Sequence, residues 1–252
     1  MVSMGQQARL ALLDRSKSSS GMWVDALIQE NDTSAEALCD FSRAAYEIDG
    51  DRQALENLLR APISDEIIAR LFGAIQGSRV RIEKSEKSVD VWTSNHWYHG
   101  PLYFSLERDP KGVNLIINDF FLKEEAPPTL GTRIVAALIF QARQISEFDS
   151  ILATATRRYF PKEGDELVKE VMGYYFFPRL GFNADPKNAD EFIDIPEKIR
   201  GKKLLAIIGD PDLRAWWKGN GQTIEVRFRV KSKRSLKALN AYLAEMNIRP
   251  QM

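Results

Sequence analysis

Cysteine is almost missing from this chain. One thiol, Cys39, in 252 residues excludes an intrachain disulfide framework and the cysteine-rich structural zinc arrangements. Histidine is nearly as scarce: His96 and His99 stand three apart in "NHWYHG", with no cysteine or glutamate-rich partner nearby, so no metal is expected. No apolar run approaches the roughly 18 residues that a membrane-spanning helix needs. The opening "MVSMGQQARLALLDRSKSSSG" lacks an apolar core followed by a cleavage site. The expectation is a soluble, cytoplasmic protein with no membrane association. An excess of charge is lacking too. Thirty-five basic side chains balance 35 acidic ones, so binding to nucleic acid has to be local rather than driven by a global field. There is no internal repeat, and the only low-complexity tract is the short serine run.

What is present suffices for a core: 44% of the residues are hydrophobic and 10% aromatic. The first third reads as helices. Apolar residues recur at helical spacing from Met22 to Gln29, and Thr33-Ser34-Ala35-Glu36 forms a capping box ahead of a helix over 34–48. "DRQALENLLR" and "SDEIIARLFGAIQ" repeat the pattern, with Ala61-Pro62 breaking one helix and Ser64 capping the next. Near Gly77 the period changes. "SRVRIEKSEKSVDVWTS", "PLYFSLER" and "GVNLIINDFFL" read as three antiparallel strands. "TLGTRIV" then opens a helix to about Ile145, followed by the strand "SILATAT" and a helix from about Asp165 into "GYYFFPRLGF". Strand, glycine turn, helix and strand make a βαβ crossover, so the third and fourth strands are expected to lie parallel in a mixed sheet. "TIEVRFRV" reads as a last strand and "KRSLKALNAYLAEM" as a terminal amphipathic helix. The chain is thereby divided into a helical segment, 1–76, and an α/β domain, 77–252.

A glycine entering an amphipathic helix admits two readings, since the free N–H groups of such a helix either hold a phosphate or the glycine merely turns the chain. The order of strands around this turn, together with the closing stretch Phe177-Pro178-Arg179-Leu180-Gly181-Phe182, resembles the GCN5-related N-acetyltransferase (GNAT) superfamily. The likeness spans about Ser78 to Phe182. In the family's pyrophosphate loop, Ala126 stands here at the usual Arg or Gln and Thr129 at the first glycine, while Gly131 matches. The resemblance implies a mainly antiparallel sheet of acetyltransferase type with a helical N-terminal extension. It implies acetyl coenzyme A as co-substrate and transfer of its acetyl group to an unknown amine. The pyrophosphate would meet Thr129, Leu130, Gly131, Thr132 and Arg133, and the pantetheine amides would pair with Phe121 and Leu122. Phe177 occupies the position of the family's acid tyrosine, which leaves Tyr174 and Tyr175, one turn earlier, as candidate proton donors.

Each feature also has a plainer reading. The aromatic cluster from Tyr174 to Phe177 is equally a core, and the chain is equally a catalytically silent binding or regulatory module. Alternation along "EVRFRVK" puts Arg227, Arg229 and Lys231 on one strand face. Such a stripe is either a solvated face or the contact for an anionic partner, nucleic acid included.

Overall fold

The computed structural model describes residues 34–42, 45–160, 169–188 and 196–249. The helix expected over Met22–Gln29 lies outside them. In chain order the elements are α1 (Ala35–Leu38), β1 (Glu47–Gly50), α2 (Arg52–Leu59), α3 (Asp65–Phe72), β2 (Arg79–Lys84), β3 (Ser88–Ser94), β4 (Leu102–Asp109) and β5 (Gly112–Asp119). There follow α4 (Leu130–Gln144), β6 (Phe148–Ala155), β7 (Arg157–Phe160), β8 (Lys169–Met172), α5 (Gly173–Arg179), α6 (Leu204–Gly209), α7 (Pro211–Asn220), β9 (Ile224–Arg229) and α8 (Lys233–Glu245). Short 3-10 turns occupy Pro186–Asn188 and Glu197–Ile199.

Seven strands form one mixed sheet in the order β1-β2-β3-β4-β5-β6-β9. The pairs β1/β2 and β5/β6 are parallel and the others antiparallel. The parallel pair flanking α4 is the crossover expected from the sequence. Four antiparallel strands precede it rather than three, because 79–94 is a hairpin: Lys84 pairs with Val89, and Ser85 N donates to Ser88 O. The helix expected over 34–48 is a single turn, capped by Ser34 Oγ accepting from Ala37 N at 3.2 Å. Ile48 and its neighbours instead form β1 along β2. The expected helix start at Asp165 lies outside the described residues, and the chain from Lys169 to Met172 is a strand, with helix only from Gly173.

The segments on either side of residue 76 share a sheet and a core. β1 belongs to the main sheet, and α1 to α3 bury Leu38, Leu55, Leu59, Ile68, Leu71 and Phe72 in the same core as the strands. The change of period near Gly77 marks the passage from α3 to the strand β2.

Strand alternation gives the sheet two unlike faces. One carries Val80, Ile82, Val91, Phe104, Leu106, Leu115, Ile117, Ile151, Val226 and Phe228, all buried. Helices close over it. Phe72 of α3 meets Phe104 of β4 with ring centroids 5.7 Å apart, and Phe177, Phe182 and Phe228 form an edge-to-face chain from α5 to β9. Gly181 permits this last approach. Its φ of +93° suits glycine, and a Cβ there would lie 3.0 Å from the Phe228 ring.

The other face is mostly polar, interrupted by Ile116 and Leu152. Cross-strand register aligns Asp49, Arg81, Trp92, Tyr103 and Asp119 in one row, and Glu83, Asp90, Ser105, Ile116, Leu152 and Arg227 in the next. Trp92 and Tyr103 stack at 5.1 Å, nearly parallel. The buried Asp90 carboxylate accepts from Ser85, Ser88 and Tyr103, and Asn118 Nδ2 donates to Ser105 Oγ at 2.7 Å. Burial opposes the charge on Asp90, but these hydrogen bonds, with one from Ser105, outweigh it and hold the carboxyl below its ordinary value. Farther along, Ser150 Oγ donates to Asn114 Oδ1. Satisfied networks of this kind let short polar side chains be buried without penalty.

Candidate functional site

The sheet opens where α4 begins. β5 and β6 pair from Val113 to Ile117, yet each runs two residues farther. Over those residues β5 stays with β4 and β6 stays with β9, so the two parallel strands part. Asn118 is the extra residue of the irregularity between Ile117 and Asp119 on β5. The chain leaving β5 carries Phe120, Phe121 and Leu122 and re-enters helix at Leu130.

Thr129 precedes the helix at φ 69°, in the left-handed region. A β-branched residue is strained there, by about 1–2 kcal/mol, whereas glycine would not be. The backbone thus keeps a glycine conformation at the very position where the resemblance expects glycine. Leu130 N donates to Pro127 O, and Arg133 N to Thr129 O as the first helical bond. The amides of Gly131 and Thr132 make no hydrogen bond among the described residues. Two donors at the start of a 15-residue helix are therefore left to meet an anion. The three amides expected at Gly131, Thr132 and Arg133 are reduced to two.

The Arg133 side chain is also directed elsewhere. It is largely buried, with one guanidinium nitrogen 3.7 Å from Glu36 Oε2 and Nε without a partner. It lines a small cavity with Cys39, Phe41 and Phe140. Burial pushes the Cys39 thiol up to about 12, opposed in part by the Arg133 charge. Arg133 therefore ties α4 to α1, and its guanidinium is not part of an anion site at the turn.

Around Gly131 the surroundings are apolar: a Cβ there would meet Leu122 Cδ1 at 3.2 Å, Phe120 Cε1 at 3.5 Å and Phe176 Cζ at 3.8 Å. The glycine serves close packing between α4, the strand exit and α5. Phe121 is already committed, its carbonyl accepting from His99 N, while Lys123 N donates to Trp97 O. Leu122 sits in an isolated bridge opposite Tyr98, so its own peptide groups face away from that segment. Of the two residues expected to pair a pantetheine, only Leu122 keeps a free edge.

The two candidate tyrosines separate sharply. Tyr174 is wholly buried; its hydroxyl donates to Lys218 O at 2.6 Å and its carbonyl accepts from Trp217 Nε1 at 3.0 Å. The Arg157 guanidinium lies 5.2 Å above its ring, and Arg157 also donates to Gly221 O and Gly219 O. Tyr174 is thus a structural clasp between α5 and α7, and its burial removes it as a proton donor to substrate. Tyr175 is half-buried, with the cations of Arg179 and Lys218 over its ring at 5.5 and 5.8 Å, and its hydroxyl makes no hydrogen bond among the described residues. It alone of the pair can reach a ligand.

The basic stripe changes membership. β9 ends at Arg229, and Lys231 falls in the following turn, where its charge helps hold Glu147 below the ordinary carboxyl value, behind the larger effect of the Arg108 hydrogen bond. Arg227 and Arg229 are joined by Lys203 and Arg234 around an open trough of about 750 Å³. Sequence reasoning found the two strand arginines by alternation. No local signal links them to residues from two other segments.

His96 stands edge-on to Trp97, and among the described residues no group of three or more metal-ligating side chains comes together. No helix among them is long and apolar enough to cross a membrane. No family model matches the chain, and no curated protein or solved structure matches it significantly.

Proposed function

We propose that this chain is an acyl-CoA-dependent N-acyltransferase of GNAT-type layout, taking acetyl coenzyme A as co-substrate and an amine as acceptor. The observation that carries the reading is the parting of β5 and β6 beside a helix that starts on a glycine-type left-handed residue with two free amides. The Gly131 and Thr132 amides would hold the pyrophosphate, and the free edge of Leu122 a pantetheine amide. A thioester supplies an acyl group activated toward an amine. The chain's share is to hold both partners in line, with the Tyr175 hydroxyl as the donor available to the departing thiolate. Heating the full chain with acetyl coenzyme A tests the reading, since a ligand at 100 times its dissociation constant adds about 2.7 kcal/mol of stability.

A second reading, a catalytically silent module on the same layout, is favoured by the burial of Tyr174 and Phe177 and by Phe176 packed at Gly131. Absence of any shift in melting at millimolar acetyl coenzyme A selects it.

A further inference from the structure

We propose that the trough at the β9 edge of the sheet, between that strand and Asn183, Ala184, Asp185, Asn188, Lys203 and Leu205, is a binding site for a small hydroxylated phosphate ester of the sugar-phosphate class. Four cations line it: Arg227 and Arg229 from the strand, Lys203 ahead of α6, and Arg234 in the first turn of α8. All four are exposed, and none makes an ion pair among the described residues. Elsewhere basic side chains do pair: Arg52 with Asp65, Arg70 with Glu66, Arg79 with Glu47, Arg108 with Glu147 and Arg179 with Glu245. Uncompensated cations drawn together from three segments repel one another unless an anion joins them, and the guanidinium fork matches phosphate oxygens two at a time.

The remaining lining sets the rest of the ligand. Asn183 Oδ1 accepts from Leu205 N, which leaves its amide as donor, and Ser232 Oγ accepts from Ser235 N, which leaves its proton. Glu225, two residues before Arg227, and Thr154, its partner on β6, are also in the lining. A carboxylate cannot meet phosphate but does accept from hydroxyls, so the site is polarised, phosphate toward Arg227 and Arg229 and hydroxyls toward Glu225. Asp185, the other carboxylate, has Lys187 at 3.6 Å. Among the described residues no aromatic side chain lines the trough. Single-stranded nucleic acid is ordinarily held by base stacking on aromatic rings, so a compact ligand is favoured. About 750 Å³ is within the range of small-molecule sites. The site lies at the β9 edge of the sheet, reached from Arg227 and Arg229 on its polar face and from Arg234 at the start of α8, and stands independently of any thioester chemistry.

Calorimetric titration of the full chain with a hexose bisphosphate, the free hexose, inorganic phosphate and a short single-stranded RNA tests this. The bisphosphate should bind, and bind at least about ten-fold more weakly to the double variant Arg227→Gln/Arg229→Gln, the loss expected for charge-assisted contacts. Glu225→Gln should shrink the preference for the bisphosphate over inorganic phosphate. An unchanged melting curve without ligand establishes that both variants are folded. No binding of the bisphosphate at millimolar concentration, or equal binding by the double variant, overturns the site. Inorganic phosphate binding as tightly as the bisphosphate overturns the ligand class, as does RNA binding more tightly than either.

Discussion

The two faces of the sheet are made by the same strands and have opposite fates. On one face every second residue is apolar, and α2, α3, α4, α5 and α8 are drawn onto it with the N-terminal third of the chain. On the other, the same strands present Arg81, Asp90, Tyr103, Asn114, Ser150, Arg227 and Arg229. The packed face spends its chemistry on the fold. Arg133 and Tyr174, each a candidate for a site by its position in the sequence, are absorbed into that packing. Trp217, Tyr174 and Arg157 form a buried clasp rather than reactive groups. The polar face keeps charges that no described partner neutralises. A residue's chance of being functional here depends less on its type than on which way its strand or helix turns it.

Removing residues 1–76 should break this division most completely. It deletes β1 and the side chains of Leu55, Leu59, Ile68, Leu71 and Phe72, leaving the apolar face of β2 to β4 uncovered. The shortened chain is expected to aggregate or lose its near-ultraviolet circular dichroism; a soluble, cooperatively melting product would restore residue 76 as a domain boundary.

Next in size is Trp217→Ala, which empties a fully buried site and removes the indole N–H that donates to the Tyr174 carbonyl. A loss of about 3–5 kcal/mol is expected in denaturant unfolding, the range for large aromatic truncations in cores. A loss under about 1 kcal/mol would show that α7 is loosely held.

Acid acts on three carboxyls. The Asp90, Asp109 and Glu147 carboxyls are held below their ordinary values, chiefly by hydrogen bonds: those of Ser85, Ser105, Ser88 and Tyr103, which overcome burial at Asp90, that of Asn114 at Asp109, and that of Arg108 at Glu147. Groups depressed in the folded state contribute stability above the unfolded values of 3.8 for Asp and 4.5 for Glu, and that contribution is lost as pH falls through the lower folded values. Melting temperature should therefore drop on acidification below those values, and Asp90→Asn should flatten the drop. An Asp90→Asn profile that overlays the parent would assign the acid sensitivity elsewhere.

The smallest effect expected is that of Arg227→Gln with Arg229→Gln on stability alone, within about 0.5 kcal/mol, because solvated charges without partners contribute little to folding. A large loss would mean that these side chains are buried in ion pairs.

Much of the layout was legible. Ser64 caps where its spacing says it should, and the βαβ unit around "TLGTRIV" and the strand Ile224–Arg229 follow from period and turn chemistry. What escaped depends on distant partners. Glu47–Gly50 is too short and polar to read as a strand until β2 lies beside it. The hairpin within 79–94 hides because its alternation runs through the turn without a glycine or proline to mark it. The site was legible as a turn but not as a set of directions. Nothing local says that Arg133 faces Glu36, that Tyr174 reaches Lys218, or that Lys203 and Arg234 join the strand arginines.

The central claim is that α4 begins as an anion site built from two amides. Backbone amide resonances of Gly131, Thr132 and Arg133, followed by NMR while acetyl coenzyme A is added, test it most directly. Gly131 and Thr132 should shift downfield and exchange more slowly at saturation, as free N–H groups do on donating to a phosphate oxygen, while Arg133, already bonded to Thr129, should move little. Saturable binding that leaves Gly131 and Thr132 unmoved would contradict the account.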